Sequence, residues 1–194
     1  DMLFKGDINK WKAFTNTLKL KAYLRLAKVN EAKAKAGIAA LYATNPTFVS
    51  ADAAIAYSTT GGNENPFYNE MVGLGRTQNA VASSTAVNAF RRNNDLRLNK
   101  FYDLADGQTV LNSIVQGNYG DPKVEKIVSI PSSLVGGNAN AGASATAPVK
   151  LISAAESFFL QAEAVARGFA NGDVNALVKQ GVNASFIATG LTTA

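Results

Sequence analysis

KWKAFTNTLKLKAYLRLA, Lys10 to Ala27, sets Lys10, Lys12, Lys19, Lys21 and Arg25 among Trp11, Phe14, Leu18, Leu20, Leu24 and Leu26. Such a stretch is either a basic helix made for nucleic acid or membrane, or one side of a helical core. Spacing decides between them. Asp7 is a good N-cap, and helical periodicity follows it. Trp11, Phe14, Leu18, Ala22 and Arg25 recur at helical spacing, and Leu20, Leu24 and Ala27 widen the stripe. Lys12, Asn16, Lys19 and Tyr23 lie largely on the other side. The lysines spread around the helix rather than forming one stripe, and no Gly-rich or aromatic nucleic-acid motif accompanies them. Lysine stems commonly run along a buried helix edge with the charge in water. The stretch therefore reads as core scaffold with its Leu-rich half well buried. Nucleic acid is not an expected partner; a steep salt dependence of binding would be its mark.

Working outward, Asn30 breaks the pattern and a second helix runs from about Glu31 to Ala43, burying Ile38, Leu41 and Tyr42. The connection is short, so the two form an antiparallel hairpin. Asn45-Pro46 ends it, because the residue before proline disfavours helix. Residues 47–82 read as irregular chain, with a short extended piece at Ala54–Ser58 and a Gly/Asn/Pro-rich surface stretch, GGNENPFYNE. SSTAVNAFRRNND (83–95) is a short helix capped by Ser83 or Ser84, with Val87 and Phe90 on its apolar side. KIVSIP contains a short strand, 126–130, stopped by Pro131. Residues 132–148 are low in complexity and read as a flexible internal loop. A strong helix follows from about Leu151 to Arg167, its buried face Ala155, Phe158, Phe159, Ala162, Val165 and Ala166. Gly168 is a natural C′ residue, Asp173 a cap, and a last helix from Val174 to Ile187 completes a second hairpin.

Composition narrows the chemistry. The 194 residues are 47% hydrophobic and 17% charged, a globular balance. No apolar run reaches the ~18 residues of a membrane span. There is no Cys and no His, so disulfides, thiolate nucleophiles, imidazole bases and the commonest transition-metal ligand are absent, and no cofactor is expected. The +5 net charge belongs to the opening helices: residues 1–35 hold nine Lys+Arg and three acids, a balance of +6, and the remainder balances at −1. The N-terminus, DMLFKGDINKW, is not a signal peptide.

Glu156 and Glu163 share a helix face seven residues apart, about 10 Å of rise, at the outer edge of what a glycosidase carboxylate pair uses. Arg167 stands at i+4 from Glu163 as a ready ion-pair partner, so the structural reading is preferred. The Gly-x-Gly at 73–75 lacks the strand and helix that would give it meaning, and no catalytic residues are assigned. The aromatics in irregular chain carry more weight. Tyr57, Phe67, Tyr68 and Tyr119 lie in or near Gly/Asn-rich loops, and Asn65 precedes the Pro-Phe-Tyr triplet. Exposed rings stack on the apolar faces of sugars, and amides bond hydroxyls. The alternative is that such rings pin long loops to the core.

Five blocks, in order, resemble the SusD/RagB family of outer-membrane nutrient-binding lipoproteins. GDINKWKAFTNTLKLKAYLRLA resembles its signature helix, NENPFYNE its NP-aromatic loop, RRNNDLRLNKFYDL its helix followed by NDPRL, PVKLISAAESFFLQAEAVARGF its AE-x-x-FL-x-AEA-x-x-RG helix, and GVNASF the following GI-x-AS. Leu96 stands where the NDPRL string has proline, and Lys19 and Lys21 replace the usual arginines. The family's acylated cysteine and earlier helical region are not in this sequence, so it looks like a middle or C-terminal segment, a partial SusD-like domain over 1–194.

The resemblance implies a mainly α fold of tetratricopeptide-like helical hairpins with long irregular loops, and a short strand pair fits beside them. It also implies non-catalytic capture of oligosaccharide or polysaccharide at the cell surface for a SusC-like TonB-dependent outer-membrane transporter. The membrane would be met only through a lipid anchor absent from this chain. The candidate ligand residues are Tyr57, Asn65, Phe67, Tyr68 and Tyr119. The competing expectation is a helical-repeat scaffold that docks a protein and binds no small ligand. Under either, the Lys10–Ala27 lysines sit at the solvent edge, against a preceding region, or against the transporter.

Overall fold

Asp7 starts the first helix as expected, its carboxylate accepting the Asn9 and Lys10 amides at 3.0 and 3.1 Å. The computed structural model describes residues 1–77, 79–121, 123 and 127–192, Tyr119 without its side chain. Helix α1 spans Ile8–Leu26 and α2 Glu31–Tyr42, the latter capped by Asn30. The pair packs as a hairpin.

The buried face of α1 differs from the expected one. Thr17, Leu20, Leu24 and Ala27 are buried, whereas Trp11 is 37% and Leu18 43% exposed, and Ala22 and Arg25 are exposed. The face is rotated because α2 and a later helix cover the Leu20–Leu24 side together, leaving the Trp11–Leu18 side without a helix upon it. Gly37 explains how closely α1 and α2 approach. A Cβ there would lie 2.2 Å from Cε1 of Tyr23, so the tyrosine ring occupies the space a side chain would need.

The chain divides into two compact units, Asp1–Ile55 with Lys150–Ala194, and Ala56–Val149. In the first, strand β1 (Ala53–Ile55) pairs with a strand over Val149–Ile152. That pairing delays the following helix, which begins at Ala154 rather than Leu151. Ser153 caps it through Glu156 N–H, and Asp52 accepts the Ala154 amide at 2.8 Å while pairing with Lys150 Nζ at 2.7 Å. This Ala154–Ala166 helix ends in a Schellman turn. Phe169 N–H donates to Ala164 O and Gly168 N–H to Val165 O, with Gly168 at φ +68°. The last helix is Val174–Ile187, capped by Asp173.

Small residues, not the aromatics expected, fill the buried face of the 154–166 helix. Ala154, Ser157, Ala162 and Ala164 are buried with Leu160, while Phe159 is 41% exposed and lies over Gly181 of the last helix. Two hairpins thus share one device, a ring on one helix seated over a glycine on the next. The core joins both: Leu20, Leu24, Ile38, Leu41, Leu160 and Phe169.

In the second unit the elements are short. Pro66–Tyr68 is one helical turn (α3), continued by a π turn over Asn69–Gly73, where irregular chain was expected. Helix α4 is Ser84–Arg92 with Val87 buried, α5 Leu98–Phe101, and strand β2 Tyr102–Asp103. β2 pairs antiparallel with β3, Ile130–Pro131, Tyr102 standing opposite Pro131. Pro131 therefore belongs to the strand rather than stopping it, as a two-residue ladder with few N–H bonds permits. Lys126, where the expected strand begins, lies outside the described residues. With β1 and β4 (Val149–Ile152), α6 (Ala154–Ala166) and α7 (Val174–Ile187), the architecture is mainly helical with short strand pairs, as expected.

The turn between α4 and α5 carries one prediction. Asp95 O accepts Leu98 N–H at 3.1 Å, and Arg97, at φ −66° and ψ −16°, holds the third position of that turn. Leu96 is then the second position, where proline is favoured. It is 65% exposed. Leu96→Pro is expected to raise stability by about 0.4–1 kcal/mol through the unfolded chain's lost freedom, read as a higher urea midpoint. A lowered midpoint would contradict this account of the turn. Beside it, hydrogen bonds from Arg97 hold the Asp95 carboxyl below its ordinary range.

Candidate functional site

Asn65 organises the loop that holds the expected ligand residues. Only 1% of it is exposed. Its Oδ1 accepts the Phe67 and Tyr68 amides at 2.8 and 3.0 Å, which starts the α3 turn. Its Nδ2 donates to Ala147 O at 2.7 Å and its backbone N–H to Ala145 O at 2.7 Å. The side chain is thus committed to the protein, and it ties the Pro66–Tyr68 turn to a segment some eighty residues later.

That segment is able to approach because it is small. A Cβ at Gly136 would stand 2.7 Å from Asn65 Oδ1, and one at Gly137 would stand 2.5 Å from Pro131 Cβ and 2.9 Å from Phe67 Cε1. Residues 132–148 contain two 3-10 turns, Ser133–Val135 and Gly142–Thr146, and bury Ser132, Ser144, Ala145 and Ala147. Ser144 Oγ donates to Asn138 O at 2.8 Å, and Asn138 Nδ2 to Asp103 Oδ2 at 2.6 Å. The low-complexity run is laced into its unit by these bonds.

The five residues named from sequence divide by what they touch. Asn65 and Phe67 hold the loop in place. Tyr68 follows Phe67 on the same turn, half-buried, and its hydroxyl makes no hydrogen bond among the described residues. Tyr57 is also half-buried and leads into the 58–63 turn, which Ser58 N–H and Asn63 O close at 2.9 Å. The side chain of Tyr119 lies outside the described residues. The structure therefore brings Asn65, Phe67 and Tyr68 together on one turn. Gly136, Gly137 and the Ala145 and Ala147 carbonyls complete that platform. Sequence carries no signal for them beyond small size in a biased run.

The paired carboxylates are occupied elsewhere. Glu156 meets Lys21 Nζ at 2.6 Å, and Glu163 meets Arg167 Nε at 2.8 Å. Among the described residues no three acidic side chains gather to hold a metal, and no helix is long and apolar enough to cross a membrane.

Tightly packed helical hairpins in one unit, and in the other a single-turn aromatic loop fastened to small-residue chain, define a loop-bearing helical-hairpin protein. The chain belongs to the SusD-like family: the family profile described as starch-binding and associating with the outer membrane matches residues 1–191. Solved SusD homologues share the fold. One from Bacteroides uniformis is 26% identical at a TM-score of 0.77, covering 99% of this chain and 39% of its own length. One from Bacteroides vulgatus is 23% identical at 0.76, covering 98% and 38%. A chitin-binding SusD homologue from Flavobacterium johnsoniae is 21% identical at 0.69, covering 98% and 38%. This chain thus spans about two fifths of the length of these structures. No curated protein matches it.

Proposed function

We propose that the chain is part of a non-catalytic, cell-surface glycan-binding protein and that Tyr68, backed by Phe67 and fixed by Asn65, offers a sugar-stacking face. The observation that carries this reading is the half-exposed Tyr68 on a turn whose backbone is anchored by a fully buried asparagine. Preorganisation of this kind limits the ordering cost of binding a flexible saccharide. The family match supports a glycan as ligand, and the chitin-binding homologue makes chitin oligosaccharides a first probe. Tyr57 and Tyr119 are proposed as further contacts. Delivery to a SusC-like TonB-dependent transporter, and anchorage to the outer membrane by lipid, belong to the same proposal and follow from the family alone.

Binding through stacking and hydroxyl hydrogen bonds needs no ion pair, so it is insensitive to salt. Affinity electrophoresis in gels containing chitin-derived, starch and plant polysaccharides tests the reading. Retardation in one gel class is expected. Tyr68→Ala should weaken it by about tenfold, the cost of truncating a central aromatic anchor. Equal retardation of the variant and the parent would refute the placement of the site.

A further inference from the structure

The first unit contains a groove of about 630 Å³ between α1 and the 44–47 turn. We infer that it is a separate binding site for a negatively charged oligosaccharide, one bearing uronate or sulfate groups. Trp11, Lys12, Asn16 and Lys19 form one wall, and Thr44–Thr47 form the other. The volume lies in the range of small-ligand sites.

The walls are built for this ligand class. Asn16 Nδ2 donates to Thr47 O at 3.1 Å, which fastens the 44–47 turn to the helix and fixes the groove's width. Trp11 is held edge-on by Phe4 and Phe14, with centroids 5.0 and 5.9 Å away, and its Nε1 donates to Asp1 Oδ2 at 2.9 Å. The indole is thereby locked while 37% of it stays open, a rigid surface for stacking. No acidic residue lines the groove. Lys12 and Lys19 are both exposed, and neither forms an ion pair among the described residues. The next lysines along the helix are engaged, Lys10 with Asp7 and Lys21 with Glu156. Lys12 and Lys19 lie two helical turns apart, about 10 Å, the length of one disaccharide. Anionic groups on alternate sugars meet both ammonium groups, and a ring at the Lys12 end of the oligosaccharide meets the neighbouring indole. A nucleic acid would want a wider basic surface than two lysines in a groove supply.

This site is independent of the tyrosine loop, and its test is independent too. Trp11 is the only tryptophan of the chain, so indole fluorescence reports on the groove. The 194-residue chain is titrated with a galacturonic acid trimer, a sulfated chondroitin tetrasaccharide, a neutral chitin trimer, a short single-stranded DNA and polyglutamate. A saturable change in emission is expected with the uronate or the sulfated sugar, and which of the two gives it identifies the anionic group. Added salt should weaken that binding. Lys12→Gln with Lys19→Gln should weaken it by about tenfold with the circular dichroism unchanged. Tyr68→Ala should leave it as in the parent chain. The inference fails if neither acidic sugar changes the emission. It also fails if the neutral trimer, the DNA or polyglutamate changes the Trp11 emission as well, or if the double lysine variant responds like the parent.

Discussion

Asn65→Ala is expected to destabilise the second unit by about 3 kcal/mol. The substitution leaves Ala147 O without its donor and the Phe67 and Tyr68 amides without their acceptor. Each polar group stranded in a buried site costs about 1–3 kcal/mol, and water recovers part of that at the half-exposed turn. Because Trp11 lies in the first unit, its fluorescence is the wrong probe. Amide hydrogen exchange at Asn65 and Asn69, whose N–H groups donate to Ala145 O and Asn65 O, reads the loss directly. Exchange should quicken there by about a hundredfold, the factor that ~3 kcal/mol implies. Unchanged exchange would contradict the role given to Asn65. Asn65→Asp separates its two functions. It keeps the oxygen that caps the turn but sets a carboxylate oxygen against Ala147 O. The Phe67 and Tyr68 amides favour the charged form, but burial and the repelling carbonyl outweigh them at a site 1% exposed, so the introduced carboxyl is raised above its ordinary value in the folded state. The penalty is therefore full at neutral pH and relieved as pH falls through the raised value, when the protonated group donates to Ala147 O.

The second large effect is at the helix hairpin. Gly37→Ala should destabilise the first unit by up to about 2 kcal/mol. Alanine is the better helix former by about 1 kcal/mol, and on an open helix face it would stabilise. Here the new methyl would stand 2.2 to 2.6 Å from three ring atoms of Tyr23, and the overpacking cost of about 1–3 kcal/mol prevails. The double variant decides the cause. With Tyr23→Ala in place, Gly37→Ala should change sign and stabilise by about 0.5–1 kcal/mol. Urea unfolding followed by Trp11 emission measures both. A Gly37→Ala chain more stable than the parent would overturn this account of the packing.

These cases show what was legible in the sequence. The hairpins were, because caps and periodicity are local: Asp7 and Asp173 each accept the amides that their positions promise. The buried face of α1 was not. Trp11 and Leu18 share the helical spacing of a core stripe, and only the placement of the 154–166 helix shows that the Leu20–Leu24 side is the covered one. That later helix starts three residues after its expected position for a similar reason. Val149–Ile152 has helix-compatible composition, but β1 captures it as a strand. At the tyrosine loop, the Asn-Pro-aromatic triplet marks the place where the α3 turn forms. It did not show that Asn65 faces inward, since the partner carbonyl lies eighty-two residues away. The groove on α1 was hidden because its lysines, read along the sequence alone, look like an ordinary solvated edge.

Glycan binding at Tyr68 is the central proposal, and tyrosine ring resonances test it most directly. The chain has six tyrosines, and labelling their rings gives a countable spectrum. Chitin and starch oligosaccharides are titrated in, with Tyr68→Ala supplying the assignment. The account predicts that one of these neutral sugars shifts the Tyr68 ring signal in a saturable, salt-insensitive way, while Tyr23 and Tyr42 in the helical unit stay fixed. Sugar-dependent shifts confined to Tyr23 and Tyr42, or a Tyr68 signal that no oligosaccharide moves, would contradict it.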